Sequence, residues 1–199
     1  MGEVMKGGTL DRREVVATLL DGREDVLVVT GLGSASYDVM AAGDHDSNYY
    51  LWAAMGSAVM TGLGLAKAQP GKSVVVITGD GEALMGFGAL ATVAVQQPAN
   101  LTVVVLDNGH FGETGMQVSH AGRGIQFDSV AAACGFGWTD RVTDIAGVHA
   151  LKAKIADRSS GTKLAVVKIA AEEAPRVLPP RDGAYVKNRF RAALGFQPI

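Results

Sequence analysis

Residues 73–87 read SVVVITGDGEALMGF. The run Val74-Val75-Val76-Ile77 shows no polar alternation, the pattern of a strand buried on both faces. It passes through Thr78 into Gly79-Asp80-Gly81 and then into a segment of helical spacing. The pattern predicts a strand over 73–78, a loop over 79–81 and a helix over 83–96, stopped by Pro98. A charge between two glycines at the end of a buried strand has two readings. It is an ordinary tight turn with a capping Asp, or a loop that holds a ligand at the strand's carboxyl end. GDG alone favours the turn.

Working outward, the same unit recurs. A helix is predicted over 9–20 with Thr9 as N-cap, then a nearly continuous apolar strand over 25–30. Gly31-Leu32-Gly33-Ser34 turns the chain into a helix over 36–42, and 44–50 reads as polar and irregular. A small-residue helix over 56–68 stops at Pro70-Gly71. A strand over 101–106 meets Asp107-Asn108-Gly109, followed by a glycine-rich stretch to Arg123. Then come a helix over 128–134, a short strand near 138–139, a helix capped by Asp144 and running to 156, and a strand over 163–169. Alternating strands and helices with buried strands predict an α/β fold, a doubly wound, mainly parallel sheet with helices on both faces. Such sheets bind ligands at the carboxyl ends of their strands. Residues 1–170 form this domain. Residues 171–199, opening with the Pro-rich AEEAPRVLPPRDG, read as an arm with a basic helix over 186–194 that packs on a neighbouring subunit through Phe190, Leu194 and Phe196.

The chain has 199 residues, 48% of them hydrophobic, enough for one domain with a sizeable core. A net charge of −2 offers no basic face for nucleic acid or an anionic membrane. The N-terminal MGEVMKGGTLDRRE lacks the apolar core of a signal peptide. The single cysteine, Cys134, excludes an intramolecular disulfide, fits a reducing cytoplasm and, amid AAACGFG, reads as a buried thiol.

Asp107-Asn108-Gly109 closes the strand after Asp80's, at the same end of the sheet. Adjacent strands lie about 5 Å apart, so oxygen side chains on the two tips can share one cation. Asp80, the Asn108 amide oxygen and a carbonyl from the following loop make a set suited to Mg2+ or Ca2+.

Here the chain resembles the thiamine diphosphate enzymes, in their diphosphate-binding domain. That family's motif is GDG, about twenty-five residues, then an Asn pair after a strand. It reads here GDGEALMGFGALATVAVQQPANLTVVVLDN, with Asp107 in place of the first Asn. The resemblance implies that Asp80, Asn108 and the backbone carbonyl of His110 bind the metal, and that Gly79, Gly81 and Glu82 lie against the cofactor. Glu82 stands where many relatives carry a small residue. Its charge beside a diphosphate requires the side chain to point away or the backbone N–H to make the contact alone. TGLGSAS is similar to the first diphosphate-side loop and implicates Gly33 and Ser34. NYYLWAAMGSAVMTGLGLA is similar to the segment beneath the aminopyrimidine. There Met55 becomes an apolar wedge and the Ala53 carbonyl an acceptor, whereas spacing alone makes Met55 a core methionine. GHFGETGMQ is similar to the NGxYGxTGGQ loop, implicating Thr114 and Gly115, with Met116 where Gly is common. ALATVAVQQPANLTVVVLDNG, VAAACGF and VKNRFRAALG resemble the branch that decarboxylates sulfopyruvate and phosphonopyruvate.

In that family a Glu on a separate pyrimidine-binding domain activates the cofactor. This chain holds one α/β domain, so the resemblance implies an α-type partner subunit that supplies the Glu. His45, His110 and Glu113 are candidate proton donors on loops, with His45 and His110 assigned to the active end. His149 reads as a surface residue, and Arg123 as the one cation of this chain near the loop. Other readings are the β subunit of a 2-oxoacid oxidoreductase or carboligase, or a non-catalytic diphosphate-binding module.

Overall fold

The computed structural model describes residues 7–52 and 54–197. In chain order the elements are α1 (Arg12–Leu20), β1 (Leu27–Thr30), α2 (Ser34–Ala41), β2 (Asn48–Tyr50), α3 (Ala58–Ala68), β3 (Val74–Gly79), α4 (Asp80–Met85) and α5 (Ala89–Gln96). They continue with β4 (Leu101–Asp107), β5 (His110–Phe111), β6 (Gln117–Val118), α6 (Phe127–Cys134), β7 (Trp138–Val142), α7 (Ile145–Ala156), β8 (Lys163–Lys168) and α8 (Gly183–Ala193).

Six strands form one sheet in the order β2-β1-β3-β4-β8-β7, every pair parallel. This is the doubly wound α/β sheet expected from the sequence. Because strand side chains alternate between faces, each apolar run feeds two cores. Val74, Val76, Val103, Val105, Leu164 and Val166 pack with α3, α5, α6 and α8. Val75, Ile77, Val104, Leu106, Ala165 and Val167 pack with α1, α2 and α7. That two-sided burial explains strands without polar alternation.

Several elements differ from expectation, each for a local reason. The cap of α1 is Asp11, whose carboxylate accepts from the Glu14 N–H at 2.8 Å, and not Thr9. The Thr9 region is drawn out as a sheet extension: Gly8 N–H donates to the Ile169 carbonyl and Ala170 N–H to that of Leu10. The stretch 44–50, expected to be irregular, ends in strand β2. Its Asn48 is fully buried, donates to the Tyr50 hydroxyl at 2.9 Å and accepts from Arg23 Nη1 at 2.6 Å. The single helix over 83–96 is two helices broken at 86–88. A Cβ on Gly86 would stand 2.1 Å from the Gly56 carbonyl oxygen, so this turn can only be glycine. Cys134 is exposed, contrary to the buried reading, because Phe127 and Ala131 take the inward face of α6.

The C-terminal segment folds back on its own chain. Val186 and Phe190 of α8 are buried, and Phe190 meets Tyr49 edge-on at 5.5 Å. Arg189 Nη1 holds Asp44 at 2.6 Å, and Trp52 Nε1 donates to the Pro180 carbonyl at 2.8 Å. Phe190 and Leu194 thus find their partners within the chain, while Phe196 is half exposed. Among the described residues no helix is long and apolar enough to cross a membrane.

Candidate functional site

The carboxyl ends of β1, β3 and β4 open onto a cleft of about 290 Å³. The register pairs Gly79 with Leu106, so Asp80 and Asp107 leave their strands side by side. The cleft brings together Ser34, Met55, Gly79, Asp80, Gly81, Glu82, Asn108, His110, Glu113 and Thr114, residues from four segments of the chain.

Asp80 begins α4 and is 2% exposed. Burial, which penalises the charged form, raises its pKa to about 6; a hydrogen bond from Ser119 opposes the rise and the neighbouring Asp107 adds to it. Asp107 is itself neutralised by Lys168 at 2.8 Å. Asp80 has no such cation: among the described residues its side chain has a short hydrogen bond from Ser119 Oγ and no ion pair within 4 Å. A buried carboxylate without a counter-charge is costly, and a divalent cation is the group that would complete it.

Asn108, 7% exposed, accepts from the His110 N–H through Oδ1 at 2.9 Å. The His110 ring returns to the Asn108 carbonyl through Nδ1 at 2.8 Å. A carbonyl can only accept, so Nδ1 carries the hydrogen and Nε2 is the free nitrogen. Among the described residues no three His, Cys, Asp or Glu side chains are grouped to hold a metal. A cation beside Asp80 would therefore draw on amide, carbonyl and ligand oxygens, the hard donors Mg2+ and Ca2+ accept. The residues present fit that ion.

The glycines have definite jobs. A Cβ on Gly81 would stand 2.8 Å from the Phe111 ring, so the GDG loop and the β5–β6 ribbon close on each other only with glycine there. Gly33 has φ +81 and caps α2 without a side-chain bond. Gly115 has φ +109, and Met116 adopts φ +60, left-handed backbone that ordinarily favours glycine.

Glu82 turns away into the protein. It is 4% exposed, takes a short hydrogen bond from Thr78 Oγ1 and accepts from the Gly56 N–H at 3.3 Å. A Cβ on Gly31 would overlap its Oε2. Burial raises its pKa against the hydrogen bonds from Thr78 and the 56–58 backbone. This carboxylate thereby ties together the loops that follow β1, β2 and β3.

Met55 lines the cleft and is 43% exposed, so it is not a core methionine. Gly33 and Gly115 adjoin the cleft without lining it: Gly33 lies against the Glu113 side chain, and Gly115 follows Thr114 at the end of the 3-10 turn. Glu113 Oε1 is 3.5 Å from Ser34 Oγ, and its Oε2 pairs with exposed Arg176 at 3.2 Å. Ala53 lies outside the described residues.

His45 requires correction. It precedes β2, and β2 runs parallel to β1, so it lies at the amino ends of the strands, opposite the cleft. There its Nδ1 accepts from the Ser47 N–H at 3.0 Å, and burial, then Arg23, lowers its pKa. His149 is exposed on α7, as expected. Arg123 does not line the cleft either; the cation that does is Arg12, held on Asp38 at 2.7 Å. Neither Arg12 nor Ser119 carries a local signal, because their partners lie 26 and 39 positions away.

Several known proteins are similar to this chain in fold or in sequence. The thiamine diphosphate-dependent 4-hydroxybenzoylformate decarboxylase of Rhodococcus jostii RHA1 superposes with a TM-score of 0.68 at 21% identity. The match covers 87% of this chain and 36% of that one. Sulfopyruvate decarboxylase of Methanosarcina acetivorans is 33% identical over 184 residues, 92% of this chain and 47% of that protein. The β subunit of sulfopyruvate decarboxylase of Methanococcus maripaludis is 32% identical over 193 residues, 93% of this chain and 98% of that subunit. Phosphonopyruvate decarboxylase of Streptomyces hygroscopicus is 44% identical over 109 residues, 55% of this chain and 27% of that protein. The chain thus spans about half the length of the Methanosarcina relative and less of the Streptomyces one. Residues 29–169, from β1 to the end of β8, match the C-terminal TPP binding domain of thiamine pyrophosphate enzymes, and the chain belongs to that family.

Proposed function

We propose that this chain is the β-type subunit of a cytoplasmic thiamine diphosphate- and Mg2+-dependent decarboxylase. Its substrate would be a short 2-oxoacid bearing a second anionic group, such as sulfopyruvate or phosphonopyruvate. The observation that carries the reading is the buried Asp80 carboxylate without a cation, beside Asn108 on the next strand tip. Asp80, the Asn108 amide oxygen and the His110 carbonyl hold the metal. Ser34, Gly79 and Gly81 line the diphosphate end and Gly33 adjoins it, where backbone N–H groups can approach closely. Met55 supports the cofactor from the apolar side. Bound there, thiamine diphosphate supplies the carbanion chemistry that loss of CO2 from a 2-oxoacid requires. His110 keeps its hydrogen on Nδ1, so Nε2 is the atom at which this chain can take up or release a proton. Glu113 and Thr114 border the same space on the loop that follows.

An α-type subunit supplies the activating Glu. The Methanococcus β subunit supports this, since it matches this chain over 98% of its own length and its name implies an α companion. The test is coexpression with a pyrimidine-domain subunit, followed by CO2 release from sulfopyruvate, phosphonopyruvate and pyruvate. The pair should release CO2 and the isolated chain should not. A diphosphate-binding module would take up cofactor and release none. Asp80→Ala should abolish Mg2+-dependent cofactor binding; retention of that binding would sink the assignment.

A further inference from the structure

Among the described residues, Arg12 is the only Lys or Arg that lines the cleft. It opens α1, which runs back along the sheet before β1, so it stands at the same end as the loops after β1, β3 and β4. Its Nε sits 2.7 Å from Oδ2 of Asp38, and Arg13 holds the other carboxylate oxygen at 2.7 Å. Asp38 is 1% exposed and the Arg12 side chain 11%. Two guanidiniums on one buried carboxylate leave one positive charge over within that cluster of three. Arg13 spends its Nη2 on the Pro175 carbonyl and does not line the cleft.

Arg12 also borders a narrower polar hollow beside the cleft with Ser34 and Asn108, where Arg13 and Arg176 face the carboxylates Glu113, Glu172 and Glu173. Asp38 lies one turn into α2, so it sets Arg12 against the first turn of that helix, where Gly33 leaves the N–H groups without a side-chain cap. The apolar wall of the cleft, with Met55 and Met85, belongs to other segments. Charge balance points the same way. A divalent cation on Asp80 leaves one positive charge, less than a diphosphate brings. An immobilised guanidinium supplies more, with paired donors suited to phosphoryl oxygens.

We propose that Arg12 is a binding residue for the cofactor's diphosphate, held in place by Asp38 and working with the metal at Asp80. The inference rests on the proposed cofactor site. The chemistry it recognises, a tetrahedral oxyanion, is also that of a sulfonate or phosphonate group on substrate. The position beside Ser34 and Asn108 assigns it to the cofactor.

The test uses the full chain with its partner subunit and titrates Mg2+ with inorganic pyrophosphate, thiamine diphosphate or thiamine, followed by calorimetry. Arg12→Gln should weaken pyrophosphate and thiamine diphosphate about tenfold or more, leave thiamine unchanged and flatten the salt dependence. Arg12→Lys should recover part of the loss. Arg13→Gln, which takes the other guanidinium from Asp38, should stay within about twofold. Equal losses in the Arg12→Gln and Arg13→Gln variants would overturn the proposal, because Arg12 would then act only through Asp38. So would unchanged binding by Arg12→Gln with a raised KM for acidic 2-oxoacids alone, which would assign the guanidinium to substrate. If the unsubstituted complex bound neither pyrophosphate nor thiamine diphosphate, the proposed function itself would fall.

Discussion

Ser119 donates its hydroxyl to Oδ2 of Asp80 across 39 positions of sequence, and the two residues are 0% and 2% exposed. Partners of metal-ligating carboxylates fix the direction of the lone pairs. Ser119→Ala should therefore weaken Mg2+ or Mn2+ binding in the presence of thiamine diphosphate by about ten- to a hundredfold. The circular dichroism spectrum should be unchanged. Metal affinity equal to that of the unsubstituted chain would show that the bond does not orient the carboxylate.

Asp80 sets a pH dependence. Its folded pKa of about 6 lies above its ordinary value of 3.8, so the fold favours the protonated form. The stability it contributes is fully present below pH 3.8 and is lost as pH rises through about 6. The difference amounts to about 3 kcal/mol at most. A metal must displace that proton, so Mg2+-dependent cofactor binding should fall about tenfold for each pH unit below 6. Asp80→Asn removes the charge, and should stabilise the metal-free chain near pH 7 while abolishing the metal response. A flat binding profile between pH 4.5 and 7 would contradict both statements.

The Gly56–Gly86 contact predicts steric sensitivity in the backbone that carries Met55 and Met85. Gly56 has φ +85, and a Cβ there would stand 2.8 Å from the Gly86 nitrogen. Gly56→Ala and Gly86→Ala should each cost about 2–3 kcal/mol in urea denaturation, combining strain with backbone overlap. Gly64, exposed on α3 with open space around it, is the contrast. Gly64→Ala should raise stability by about 0.5–1 kcal/mol.

Glu82 predicts a difference between two substitutions. Glu82→Ala leaves the Thr78 hydroxyl and the Gly56 N–H without their buried acceptor, a loss of about 1–3 kcal/mol. Amide hydrogen exchange should then accelerate at residues 55–58. Glu82→Gln keeps an acceptor oxygen for either donor and should preserve most of the protection. Equal exchange in the two variants would mean that the carboxyl group does not hold that loop.

Much of the sheet was legible because β3, β4 and β8 are apolar runs, and a strand buried on both faces leaves that trace. Strand β2 left none. Its Asn48 and Tyr50 are buried as polar residues, satisfied by each other and by Arg23, 25 positions earlier. Missing that strand also misplaced His45, since a chain that crosses back along α2 begins the next parallel strand at the opposite end of the sheet. The helix break at Gly86 depends on Gly56, thirty positions away, and no local rule marks it. In the site, GDG and DNG were readable because each lies at a strand end with its own spacing. Arg12 and Ser119 were not, because what defines them is a distant carboxylate.

The overlap between Gly31 and the Glu82 carboxylate couples two positions that are far apart in the gene. While residue 82 is glutamate, a side chain at 31 must push its carboxylate off Thr78 and Gly56, so glycine is favoured there. A lineage that shortens residue 82 first frees position 31 and surrenders the tie to Gly56. The reverse order passes through an intermediate in which the Glu82 carboxylate must leave Thr78 and Gly56. Codons 31 and 82 should therefore change together and in that sequence, with Glu82 yielding before Gly31.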